Sequence, residues 1–123
     1  MDRNRATTIF EALSSDVRLG IFRLLVRKGA DGLVAGEIAE KLKLPPTNIS
    51  FHLKTLMQAR LLTLETEGRF QRYRANCSLM VELIAYLTAE CCSEQSGMVA
   101  GGSVASRCSP SSRRAGLATR RKP

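Results

Sequence analysis

A mainly α-helical chain carrying a two-stranded β-wing is the fold this sequence predicts, and three observations predict it. Apolar residues recur at helical spacing through most of the first 92 positions. Pro45-Pro46 imposes a tight turn between two short helical segments, because consecutive prolines hold the chain extended before the second of them. From Leu61 to Ala75, two runs rich in β-branched and aromatic residues flank Glu67-Gly68-Arg69, as a hairpin requires.

The elements follow in order. Ala6 to Leu13 has Ile9, Phe10 and Leu13 at helical spacing. Ser14-Ser15-Asp16 then supplies an N-cap and a first-turn acid for a second helix with Val17, Ile21, Leu24 and Leu25 as its buried stripe. Arg27, Lys28 and Gly29 terminate it, and Ala30-Asp31-Gly32 turns the chain. A third helix fits Val34 to Leu42, with Ile38 and Leu42 inward. Pro46 is tolerated in the first turn of the fourth. Within that helix Ile49, Leu53 and Leu56 face a core and leave Ser50, Phe51, His52, Lys54 and Thr55 outward. After the hairpin, Asn76 or Ser78 caps a last helix whose stripe is Met80, Leu83, Ile84, Leu87 and then Cys91. A unit this small has no internal partner for that stripe, so a homodimer is expected, built from the first and last helices.

The chain has 123 residues and is 44% apolar, which suits one domain with an ordinary core. Residues 1–92 are the expected domain and 93–123 a basic, Ser/Gly/Arg-rich disordered tail. The net charge of +8 is uneven: residues 94–123 hold 6 Lys/Arg against Glu94, and residues 1–93 hold 13 against 10 Asp/Glu. The folded part is thus mildly basic, which suits a partner with phosphates. No apolar run approaches bilayer length, and Met1-Asp2-Arg3-Asn4-Arg5 is not followed by a signal-type hydrophobic stretch, so a cytoplasmic protein without a membrane partner is expected. Four cysteines there are expected to be thiols, ligands or redox sensors.

Polar groups gathered on the outward N-terminal half of a helix fit the edges of bases and phosphates, since that helix end also offers free backbone N–H groups. Thr47, Asn48, Ser50, Phe51, His52 and Lys54 are therefore candidate contacts to double-stranded DNA, with basic groups of the wing following the backbone.

Taken together, Leu13-Ser14-Ser15-Asp16-x-Arg18-x-x-Ile21, Ser50-x-His52-Leu53-x-x-Leu56 and Glu67-Gly68-Arg69-x-x-x-Tyr73 resemble the ArsR/SmtB family of winged helix-turn-helix metalloregulatory repressors, over residues 6 to about 92. The resemblance implies a homodimer on operator DNA that lets go when a toxic metal or metalloid binds. It places Ser50, His52 and Lys54 on the recognition helix, and Arg69 and Arg72 on the wing. One departure is Arg60, where the family commonly has Gly; a slightly altered helix exit is expected there.

Two ion sites known in the family are missing. The stretch matching a Cys-x-Cys pair is Val34-Ala35-Gly36, and the single histidine, His52, leaves the last helix without imidazoles. Cys91-Cys92 remains, with Cys108 on a tether; Cys77 lies 14 residues earlier, about 21 Å along a helix. Adjacent thiols without histidine favour a thiophilic ion over zinc. Arsenic(III), or antimony(III), at Cys91, Cys92 and Cys108 is the expected inducer. Cys91 also continues an apolar stripe, where free cysteine often serves as a small buried hydrophobe. The alternative is a thiol redox switch on the same fold. An enzyme is not expected: no Cys-x-x-Cys, phosphate loop or second histidine is present.

Overall fold

The computed structural model describes residues 1–92. Five α-helices and three strands run in the order α1 (Arg3–Leu13), α2 (Asp16–Lys28), a 3-10 turn (Gly29–Asp31), β1 (Leu33–Val34), α3 (Ala35–Leu42), α4 (Pro46–Gln58), β2 (Leu62–Glu67), β3 (Phe70–Ala75) and α5 (Cys77–Thr88). The chain divides into a unit of Met1–Leu83 and a second that begins at Ile84, within α5.

Four of the five α-helices begin where a side chain takes over an orphaned backbone group. Asp2 Oδ1 accepts the Arg5 N–H at 2.8 Å, and the Ser15 hydroxyl accepts that of Arg18 at 3.3 Å. Glu37 reaches back to the Val34 N–H at 3.0 Å, half of a capping box, since Val34 has no oxygen to complete it. Asn76, rather than Ser78, caps α5 by accepting the Leu79 N–H at 3.3 Å.

The core of the first unit is aliphatic. Ile9 of α1, Ile21 and Leu25 of α2, Ile38 of α3, and Ile49, Leu53 and Leu56 of α4 are fully buried. Each such side chain stabilises the fold by about 1.5–3 kcal/mol relative to exposure. The expected stripes hold for α4 and shift elsewhere. In α1 the inward face is Ala6, Ile9 and Ala12, so Phe10 lies exposed. In α2 Phe22 joins Ile21, Leu24 and Leu25, while Val17 is only half-buried. Small alanines let α1 approach its neighbours, and periodicity alone does not distinguish them from larger apolar groups.

The predicted hairpin forms with the register Leu62↔Ala75 through Glu67↔Phe70, closed by Gly68-Arg69. Gly68 sits at φ 62°, the positive value a two-residue turn needs at its first central position. The wing gains a third, two-residue strand: Leu33↔Tyr73 and Val34↔Arg72 put β1 beside β3, in the order β1-β3-β2. Helix α3 accordingly starts at Ala35, one residue later than expected. Gly32 makes this pairing possible. Its φ is 59°, and a Cβ there would stand 2.5 Å from the Tyr73 carbonyl oxygen.

Arg60 corrects the expectation for the exit of α4. It adopts φ 64° despite its side chain, and the Schellman pattern is complete: Leu61 N–H bonds to Leu56 O at 3.0 Å and Arg60 N–H to Met57 O at 2.9 Å. Leu56 and Leu61 are both fully buried, and Asn76 Nδ2 holds the Arg60 carbonyl at 2.9 Å. Lys43 closes α3 the same way, at φ 57° with Leu44 N–H on Ala39 O at 3.1 Å.

Helix α5 ends at Thr88, so Cys91 and Cys92 lie past it in a turn instead of on its stripe. Leu79 and Leu83 are buried, whereas Val81, Ile84 and Leu87 are exposed. Among the described residues, no helix is long and apolar enough to cross a membrane. Residues 93–123, including Cys108, lie outside the described residues.

Candidate nucleic-acid interface

Helix α4 is set by Pro45 at its N-cap and Pro46 in its first turn. Neither has a backbone N–H, and the Asn48 N–H turns back to Pro45 O at 3.1 Å. Among the described residues this leaves the Thr47 N–H as the one open donor of that first turn, fewer than a helix N-terminus usually presents. Side chains therefore carry most of what α4 can offer. Thr47, Asn48, Ser50, Phe51 and Lys54 are exposed, and no acidic residue occurs anywhere in the helix.

His52 is half-buried and tethered. Arg18 donates from Nη1 to His52 Nδ1 at 3.3 Å, and from Nε to the Ala12 carbonyl at 2.6 Å. A guanidinium has no acceptor, so His52 Nδ1 accepts and the ring proton resides on Nε2. The His52 ring in turn meets Phe51 edge-on, with centroids 5.5 Å apart and planes at 67°. The opening motif and the recognition motif, 34 positions apart, are thus joined through one arginine.

The wing behaves differently. Arg69 is exposed at its tip. Arg72 is half-buried: its Nε bonds to both Glu67 carboxylate oxygens at 3.1 Å, and its Nη1 to the Asp31 carbonyl at 3.0 Å. Arg74 repeats the arrangement with Glu65 at 2.7 Å and the Ala30 carbonyl at 2.6 Å. Both arginines thus anchor the hairpin to the 3-10 turn while neutralising the acids of β2. Burial pushes the Tyr73 phenol up from its ordinary value, so it stays protonated at neutral pH.

At the end of α5, the sulfur atoms of Cys91 and Cys92 stand 3.6 Å apart. Cys92 takes φ 63°, as Glu90 does at 61°, so the turn folds back on itself to bring neighbouring side chains together. Cys92 and Cys77 carry free thiols. Among the described residues, no three His, Cys, Asp or Glu side chains converge as a metal cluster. At 3.6 Å the two sulfurs are close enough for one thiophilic centre to be held by both, at about 2.3 Å from each. The Cys91–Cys92 spacing fits such a chelate once both are thiolates.

Of the residues expected to face outward on α4, Ser50, Phe51 and Lys54 are exposed while His52 and Thr55 are half-buried, and Arg18 joins the site without being a sequence candidate for it. Its role depends on a contact between distant helices, for which no local signal exists.

Comparison with known proteins agrees with this geometry. A family model described as a helix-turn-helix domain matches residues 13–65. The transcriptional repressor SdpR of Bacillus subtilis is 34% identical over 79 residues, covering 64% of this chain and 84% of that protein. Among solved structures, an ArsR-like transcriptional regulator from Rhodococcus sp. RHA1 superposes with a TM-score of 0.62 at 27% identity, over 68% of this chain and 76% of that one. A homodimeric winged helix-turn-helix DNA-binding domain from Mycobacterium bovis, described as a possible ArsR-family regulator, gives 0.53 at 26%, over 71% and 83%.

Proposed function

We infer that this chain, which belongs to the ArsR family of winged helix-turn-helix DNA-binding transcriptional regulators, represses transcription by occupying operator DNA as a homodimer and is released through chemistry at Cys91 and Cys92. The observation that carries the DNA reading is the acid-free, outward face of α4, on which Lys54 has no ion-pair partner among the described residues, held up by a fully buried opposite face. Support for repression comes from the repressor SdpR, and for the homodimer from the M. bovis domain. Exposed Ile84 and Leu87 of α5 are apolar surface that a second copy would cover.

The inducer in this reading is arsenic(III), or antimony(III), bound by the Cys91 and Cys92 thiolates, with Cys108 as a further sulfur. Soft sulfur donors and the 3.6 Å spacing support it. Binding the ion draws the two sulfurs onto one centre and reshapes the end of α5. In a dimer joined there, that shift changes the separation of the two recognition helices, which a duplex fixes at about 34 Å. Coupling is reciprocal, so operator DNA weakens ion binding by the same factor.

The 3.6 Å between the Cys91 and Cys92 sulfurs also suits a second reading, in which an oxidant such as a peroxide takes two electrons from two thiols and leaves a disulfide and water or alcohol. A gel shift on the DNA upstream of its own gene separates the two. Arsenite should dissolve the complex of reduced protein, and Cys91→Ser, Cys92→Ser protein should keep it. Release by peroxide but not by arsenite identifies the redox switch, and arsenite release that persists in the double variant removes these cysteines from the site.

A further inference from the structure

Phe51 is the feature of α4 that neither the core nor phosphate binding explains. The residue is 63% exposed in the middle of an otherwise polar face, at the unspecified position of the Ser50-x-His52-Leu53 motif. Leaving a phenyl ring in water forgoes its burial energy, and fixing it there costs rotamer entropy. Yet this ring is braced. It packs edge-on against the His52 imidazole at 5.5 Å, His52 is held through Nδ1 by Arg18, and Arg18 is pinned to the carbonyl of Ala12. A relay from α1 through α2 to α4 thus ends on an exposed aromatic side chain.

The neighbours of Phe51 specify the partner. Lys54 lies one turn on, Ser50 beside it, and Thr47 and Asn48 precede it, with no carboxylate on the helix. A protein partner for an exposed ring is ordinarily met by mixed charge, whereas this face is complementary to a polyanion. Among the groups that a DNA major groove presents, one is apolar: the 5-methyl of thymine.

We propose that Phe51 is a specificity-determining residue that buries a thymine methyl group in the major groove, with Arg18 and His52 as the positioning residues that hold its ring at the required height. His52 Nε2–H, which has no partner among the described residues, then faces the groove as a donor toward a base-edge acceptor such as purine N7 or thymine O4. The inference rests on the DNA-binding reading above and adds to it the base feature being read.

Replacing thymine by uracil deletes only the methyl. Full-length protein is titrated, as wild type and as Phe51→Ala, against the duplex upstream of its own gene made with thymine or with uracil, and against an unrelated duplex. Burying one methyl contributes about fourfold in affinity, so two half-sites should give a thymine preference of roughly fifteenfold. Phe51→Ala should fold, its ring being exposed, and should bind both versions alike. Wild type that prefers the upstream duplex over the unrelated one yet ignores the methyl overturns the inference and leaves the DNA-binding reading standing. Phe51→Ala that retains the full preference overturns it too, because another residue then reads the methyl. Wild type that makes no distinction between upstream and unrelated duplex overturns the DNA-binding reading itself. The positioning role has its own readout: His52 is the single histidine, so a nitrogen-resolved NMR spectrum of the wild type reports one ring. The Nε2–H tautomer is expected, and the Nδ1–H tautomer contradicts the relay.

Discussion

Helix α4 and the shaft of the wing both carry cations in the sequence, yet the fold leaves them in opposite states. Lys54 projects from a helix without acids, while Arg72 and Arg74 of β3 are bonded to Glu67 and Glu65 of β2 and to the carbonyls of Asp31 and Ala30. A basic residue contributes to phosphate binding only if its charge is not already matched. In the hairpin the register sets these pairs on the diagonal: Arg72 stands opposite Glu65 but reaches Glu67, and Arg74 stands opposite Thr63 but reaches Glu65. Binding should therefore come from α4 and the wing tip, with the wing's shaft serving as a brace.

The largest expected effect tests that brace. Gly32→Ala forces a Cβ against the Tyr73 carbonyl at a positive φ, and should cost about 2–4 kcal/mol. Thermal unfolding should then begin roughly 8–32 °C lower, at about 4–8 °C per kcal/mol for a domain of this size. An unchanged midpoint would mean that β1 does not hold the hairpin.

Salt dependence compares the two regions directly. Lys54→Ala and Arg69→Ala should each weaken DNA binding and flatten the plot of log affinity against log salt by about one unit for every phosphate the variant no longer neutralises. Arg72→Ala should leave that slope nearly unchanged and instead lower stability by about 0.5–1 kcal/mol, the range for a partly exposed pair, as followed by urea unfolding. A slope that falls with Arg72→Ala as much as with Lys54→Ala breaks the comparison and puts Arg72 on the phosphates, as the sequence alone suggests.

The smallest effect concerns the exit of α4. Arg60→Gly relieves a left-handed residue and should raise stability by about 0.5–1 kcal/mol, with DNA affinity unchanged. A loss of stability would show that the Arg60 side chain makes a contact that outweighs its backbone strain.

Much of this was legible because it is periodic or locally punctuated. Ile49, Leu53 and Leu56 declare the buried face of α4, and Glu67-Gly68-Arg69 declares the hairpin. What escaped depends on pairs distant in sequence. Leu33-Val34 is too short for a strand period and becomes one only because β3 lies alongside. Arg18 on His52 spans 34 positions. The left-handed Arg60 is tolerated because Leu61, Leu56 and Asn76 hold it from both sides, a balance that propensity does not contain. The cysteines show the converse: their adjacency is plain in the sequence, but the end of α5 at Thr88 moves them off the helix and into a turn.

The most direct test is a hydroxyl-radical footprint of the full-length protein on the duplex upstream of its own gene. A twofold presentation of α4 predicts two protected patches with inverted symmetry, centred about one helical turn, roughly 34 Å, apart. Protection confined to one patch, or none above that on unrelated DNA, would contradict the account.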